Sequence, residues 1–158
     1  MSLTVRSARP ADAALAHGFI LALADYEQLS DAVAATEADT AQALFGPSPR
    51  AFAEIAELDG APIGLALWFY SYSTFAGRHG VWLEDLFVVP EARGRGAGKA
   101  LLRSLARRCM ADGLGRLEWT VLDWNTPSIA FYDAIGAGAM DAWTTRRLDG
   151  EALRRLAV

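Results

Sequence analysis

The sequence predicts a mixed α/β domain whose sheet contains at least one parallel pairing. Three observations carry that expectation. An apolar run from Trp82 to Pro90, the stretch Arg93-Gly94-Arg95-Gly96-Ala97-Gly98-Lys99 and an amphipathic run from Ala100 to Met110 follow one another. They lay down a strand, a glycine turn and a helix. A further strand candidate, Arg116 to Leu122, comes next, and a strand–helix–strand connection within one sheet returns parallel. Upstream, two alternating runs flank Asp59-Gly60, the signature of a tight antiparallel hairpin.

The elements follow in order. Leu3 to Arg9 alternates as a strand, and Pro10 opens a helix with Asp12 in its first turn and an Ala/Leu-rich body to about Gln28. A second short helix is expected after Thr36, with Glu37 and Asp39 at its positive end. Gly46-Pro47-Ser48-Pro49 breaks the chain. Ala51 to Leu58 and Pro62 to Tyr72 read as the hairpin strands, Ser73 to Gly80 as a loop, and Val81 to Val89 as a central strand. After the glycine loop a helix runs to about Asp112. Arg116 to Leu122 is a strand, Pro127 to Ile135 a helix, Ala137 to Arg147 one or more strands, and Asp149 caps a last helix carrying Leu153 and Leu156. The order βααβββαβαβ, with no repeat or long linker, fits one domain spanning residues 1–158.

Composition narrows the function. The chain has 158 residues, 53% hydrophobic, with net charge −4 and pI about 5.1. An acidic chain is a poor nucleic-acid binder, because phosphate backbones need a basic face. Its cations are local: Arg93, Arg95 and Lys99 in the loop, Arg103, Arg107 and Arg108 on the following helix. One basic spot on an acidic protein suits an anionic cofactor and a cationic second substrate. No apolar run reaches the length of a membrane span, and no secretory signal opens the chain. A single cysteine, Cys109, leaves no internal disulfide, and a soluble cytoplasmic protein is expected. His17 and His79 form no metal-ligand pattern.

The glycine loop is the sharpest motif. Glycines let the backbone approach a ligand, and the free N–H groups of a helix's first turn, with its dipole, form an anion site. The spacing excludes a Walker loop, since Gly94 lies too close to Gly98-Lys99 and Ala100 follows the lysine. It also excludes the Rossmann pattern, which needs glycine where Lys99 stands. What remains is R-x-x-G-x-G, read as Arg93, Gly96 and Gly98.

That pattern after an acidic strand resembles the pyrophosphate loop of the GCN5-related N-acetyltransferases, which bind acetyl-coenzyme A. The resemblance sharpens downstream. Trp82-Leu-Glu-Asp-Leu-Phe-Val88, then Val121-Leu-Asp-Trp-Asn-Thr-Pro-Ser-Ile-Ala-Phe-Tyr132, then Gly136-Ala137 are similar to the diamine acetyltransferases, including spermidine/spermine and thialysine N-acetyltransferases. It covers essentially the whole chain. It implies the GNAT fold, a mixed central sheet flanked by helices, and direct acetyl transfer from acetyl-CoA to a primary amine of a polyamine, diamine or thialysine-like acceptor. A homodimer is implied as well. Trp82 where Tyr is common, the absence of an acidic residue in Tyr72-Ser73-Thr74-Phe75, and Arg146-Arg147 in the last strand are departures on the acceptor side. Acceptors such as a protein N-terminus, an aminoglycoside or another xenobiotic amine, and a non-catalytic acyl-CoA-binding module, are the alternatives.

The residues can be assigned chemistry. An alkylammonium of pKa ~10.4 must lose a proton before it attacks, and a carboxylate can attract it and help it do so, directly or through water. By the resemblance Glu84 has that role. Strand alternation puts Glu84 and Asp85 on opposite faces, so only one would point into a given cleft. The leaving thiolate, of pKa ~8.5, can take a proton from a phenol of pKa ~10. From its helix alone Tyr132 reads as a core aromatic beside Phe131; the resemblance makes it the general acid. The backbone of Leu86, Phe87 and Val88 is expected to pair with the pantetheine arm like an added strand. By the resemblance Arg93, Gly94, Arg95, Gly96, Ala97, Gly98 and Lys99 are expected to hold the pyrophosphate. Asn125 and Ser128 bracket a helix start, where capping is the ordinary role, and the resemblance implies that they also contact the cofactor. Tyr26, Glu27, Glu118, Trp119, Thr120, Asp141 and Trp143 fall at the family's acceptor positions, where acidic groups and aromatic faces suit a diffuse cation.

Overall fold

The computed structural model describes residues Met1–Val158. They form two compact units, Met1–Thr120 and Val121–Val158. The first unit holds one five-stranded sheet in sequential order, β1 (Leu3–Ser7), β2 (Phe52–Leu58), β3 (Ala61–Ser73), β4 (Arg78–Val88) and β5 (Leu117–Glu118). The first four strands are antiparallel, and β5 runs parallel to β4. The parallel pairing required by the strand–helix–strand order is therefore present, on a mixed sheet. Asp59-Gly60 makes the hairpin turn, both at positive φ, as a two-residue connection of matching twist demands.

Helices cover both faces. On one side lie α1 (Ala13–Tyr26), entered through a 3₁₀ turn at Pro10–Asp12, and α2 (Glu37–Phe45). Thr36 begins α2 with reciprocal bonds: its hydroxyl accepts from the Asp39 N–H at 3.2 Å, and the Asp39 carboxylate accepts from the Thr36 N–H at 2.8 Å. Ala16, Phe19, Leu44, Ala53, Ile55, Leu65 and Phe87 form the core of this layer. On the other side lies α3 (Ala97–Ala111), which buries Ala97, Leu101, Leu102, Leu105 and Cys109. Each of its buried leucines is worth about 1.5–3 kcal/mol relative to exposure. The Leu114 N–H closes the end of α3 on the Cys109 carbonyl at 2.8 Å. Arg108 ties α3 to the sheet. Its guanidinium lies 4.9 Å over the Trp68 ring and donates at 3.2 Å to Glu54, a carboxylate only 4% exposed.

Several expectations need correction. The loop placed at Ser73 to Gly80 shrinks, because β3 runs to Ser73 and β4 begins at Arg78. The strand expected from Arg116 to Leu122 is only Leu117–Glu118, since β4 diverges from it after Val81–Trp82. In the second unit, α4 (Thr126–Ala134) and α5 (Gly150–Leu156) form, but no strand lies in residues 137–147. A strand exists only where a partner takes its N–H and C=O groups, and no ladder in the chain includes that segment. No helix is long and apolar enough to cross a membrane.

Candidate active site

The pairing of β3 with β4 contains one irregularity, and it falls on the acidic pair. Leu67 lies opposite Asp85 and Trp68 opposite Leu83, so Glu84 is an extra residue in β4, a β-bulge. Its consequence follows from the faces. Trp68 faces Arg108 of α3, so Leu83 opposite it faces that layer too. Leu67 packs on the α1/α2 core, so Asp85 faces the other layer. Trp82, one residue from Leu83, also points to the α1/α2 face, and its indole N–H donates to Glu84 at 3.0 Å. Glu84 and Asp85 therefore share one face. This overturns the expectation of opposite faces, because alternation holds only in an unbulged strand.

The two carboxylates differ. Glu84 is exposed. Asp85 is largely buried, and burial, followed by the negative charges of Glu84 and Glu27, pushes its carboxyl up to about 6. No hydrogen bond or ion pair neutralises it. Glu27 caps the C-terminal end of α1, and burial raises its pKa as well. Both the helix end and the carboxylate are negative there. Tyr26, beside it, lies under the Arg93 guanidinium at 4.8 Å. Arg93 also lies 5.8 Å from the Phe87 ring, and its Nε donates to the Val88 carbonyl at 2.9 Å. It thus joins the end of α1 to the end of β4. The sequence assigns the amine role to Glu84 and none to Asp85. The legible signal was two adjacent charges in an apolar strand.

The glycine loop follows. Gly94 and Gly96 have φ of +74° and +87°, a region side chains rarely adopt. Space where a Cβ would stand is open at Gly94, and only Leu3 comes within 3.9 Å at Gly96. Gly96 starts α3 with no side-chain cap, leaving the first-turn N–H groups to meet an anion. Arg95 and Lys99 are exposed beside them, and Ala97 and Gly98 lie in the first turn. Along β4, pairing with β5 stops at Trp82, so the outer edge through Leu86, Phe87 and Val88 has no strand neighbour. The loop, the helix start and the unpaired edge fit a pyrophosphate with an extended amide-bearing arm.

The remaining predicted positions lie as follows. Glu118, opposite Trp82 in register, is bound by Arg116 at 2.6 Å. Trp119 is half-buried and Thr120 exposed. In the second unit Asn125 is buried at the N-cap of α4, where its side chain makes no capping bond, and Ser128 is half-buried in the first turn. Tyr132 is half-buried on α4, its ring 5.4 Å from Phe131. Asp141 is exposed, and Trp143 is 75% exposed. The first unit thus brings together Tyr26, Glu27, Glu84 and the glycine loop's Arg93.

A mixed sheet with a bulged β4, a glycine-loop helix start and an acidic face beside it suits an anionic cofactor and a cationic substrate. The chain belongs to the acetyltransferase (GNAT) family, whose model matches residues 18–137. It is an acetyl-CoA-dependent N-acetyltransferase. It is 35% identical to a thialysine N-epsilon-acetyltransferase of Bos taurus, over 97% of this chain and 96% of that one. It is 30% identical to the L-ornithine N5-acetyltransferase NATA1 of Arabidopsis thaliana, over 96% of this chain and 86% of that one. Among solved structures, an integron cassette protein of V. cholerae matches with a TM-score of 0.81 and 27% identity, covering 99% of this chain and 98% of that one.

Proposed function

We propose that the acceptor is a primary amine of a small cationic molecule: a polyamine, a diamine, or a thialysine- or lysine-like amine. The observation that carries this reading is the bulge at Glu84, which turns Glu84 and Asp85 to one face, with the charge of Glu27 acting on Asp85 as well. Carboxylates without a protein cation suit an ammonium group, and an acceptor with a second amine gains from the second charge. Relatives named for thialysine and ornithine acetylation support it.

The residues divide the work. Arg95, Lys99 and the N–H groups of Gly94 to Gly98 would hold the pyrophosphate and the edge of Leu86 to Val88 the pantetheine arm, and Asn125 and Ser128 would contact the cofactor. Bound acetyl-CoA supplies an acetyl thioester for direct attack by the acceptor nitrogen. Glu84 and Glu27 attract and orient the ammonium, with Tyr26, Glu118, Trp119, Thr120, Asp141 and Trp143 on the acceptor side. The Tyr132 hydroxyl donates its proton to the leaving sulfur. Residues 1–158 act as one catalytic domain, as a homodimer in the cytoplasm.

The test is thiol release from acetyl-CoA by the purified protein across putrescine, spermidine, spermine, thialysine, lysine, ornithine, an aminoglycoside and a peptide N-terminus. Saturable release with a polyamine, a diamine or a lysine-like amine is expected. Release confined to the aminoglycoside or the peptide overturns the acceptor class, and acetyl-CoA binding without release overturns the catalytic reading.

A further inference from the structure

Asp85 is a largely buried carboxylate with no ion pair or hydrogen bond. Such a group is costly to keep, and packing gives no reason for it, since the opposite residue on β3 is Leu67. The two neighbouring charges that act on it are both negative. Glu84 precedes it on its own strand, and Glu27 acts from the end of α1. Tyr26 is next to Glu27, and Arg93 is turned onto the Tyr26 ring and the Val88 carbonyl and pairs with none of the three carboxylates. Glu84 stands differently. It is exposed, and one of its oxygens is taken by the Trp82 indole. It can hold a cation from solvent, whereas Asp85 is the more buried of the two.

We propose that Asp85 is the side chain that takes the proton from the acceptor's ammonium, and that Glu27 and Glu84 hold the cation beside it. This rests on the amine-acetylation reading above. One N–H bond of the ammonium breaks and an O–H bond forms on Asp85, leaving a lone pair on nitrogen. As the C–N bond forms and the C–S bond breaks, sulfur takes the phenol proton of Tyr132, and nitrogen's second proton returns to that phenolate. Asp85 then gives its proton to water. A carboxyl that titrates near 6 is closer in proton affinity to an amine than an ordinary aspartate, and is ionised and ready at neutral pH.

Two measurements test the assignment. The first needs no turnover: ¹³C NMR titration of the aspartate carboxyls, with Asp85 identified by its absence from Asp85→Asn. A midpoint near pH 6 is expected; a midpoint at or below pH 4.5 overturns the assignment. The second is kcat/KM against pH with the best amine of the panel. Wild type should rise through pH 6 to a plateau. Asp85→Asn should lose at least tenfold at pH 7 and rise with unit slope toward the amine's own pKa, because only neutral amine then reacts. Asp85→Glu should restore part of the plateau, and Glu84→Gln should raise the amine KM while keeping the limb near 6. If the limb near 6 persists in Asp85→Asn, the assignment falls and the amine reading stands. If wild type acetylates no amine, both fall. Unchanged acetyl-CoA binding by Asp85→Asn establishes that the variant is folded.

Discussion

At the scale of single residues, Asp85 couples stability to function. Its carboxyl has risen from an ordinary 3.8 to about 6, chiefly through burial. The fold therefore favours the protonated form. The favourable contribution is fully present below pH 3.8 and is lost as pH rises through 6, so at pH 7.5 the ionised group is a burden. Asp85→Asn should stabilise the protein at pH 7.5 by up to about 3 kcal/mol, with the difference vanishing below pH 4. Urea unfolding of both proteins between pH 4 and 8 measures this, and an Asp85→Asn protein no more stable at pH 7.5 contradicts it. A residue that weakens the fold where the enzyme works is a common mark of a site under functional constraint. Tyr132 makes a simpler case. Losing a proton donor to a thiolate raises the barrier without touching cofactor binding. Tyr132→Phe should lower kcat at least tenfold, about 1.4 kcal/mol, and leave the acetyl-CoA KM within about twofold. Steady-state kinetics decide it, and an unchanged kcat removes Tyr132 as the acid.

Among the elements, α3 and the bulged β4 matter most. Arg108 is the polar anchor of α3 on the sheet, covering Trp68 and pairing with buried Glu54, which also accepts from the Ser7 hydroxyl at 3.2 Å. Arg108→Ala leaves Glu54 buried with only that hydroxyl, and should cost about 3 kcal/mol in chemical unfolding; a cost below about 1 kcal/mol would show that water reaches Glu54. The helices, the hairpin and the glycine loop were legible because each is written locally, in apolar period, caps and turn residues. The bulge was less so. Its trace, Glu84-Asp85 between Leu83 and Leu86, breaks strict alternation, but which layer each side chain meets depends on register with β3, a property of two strands. The same reason shortened β5. Arg116 to Leu122 has strand composition, yet β4 bends at its bulge and pairing ends at Trp82 and Glu118. Residues 137–147 have alternating composition and no ladder, so composition alone misled there.

On the scale of the whole molecule, apolar surface is unevenly spread. The buried hydrophobic side chains all lie before residue 121. Of fifteen exposed large hydrophobic residues, eight belong to residues 121–158: Trp124, Ile135, Met140, Trp143, Leu148, Leu153, Leu156 and Val158. A 38-residue stretch cannot build a sufficient core of its own, and a concentration of exposed apolar side chains marks an interaction surface. A second copy of the chain is the simplest occupant, since the homodimer implied by the diamine acetyltransferase resemblance would bring the same surface to meet itself. The proposed homodimer would associate through the exposed Met140, Leu148, Leu153 and Leu156, the last two on α5. Sedimentation equilibrium at micromolar concentration should give a dimer of the 17.0 kDa chain, and Leu153→Ser with Leu156→Ser should weaken it at least tenfold. Because burying two leucines contributes about 3–6 kcal/mol per chain, that loss is well within measurement. A wild-type monomer across the whole range would leave this surface without a partner in its own kind, and the homodimer would be abandoned.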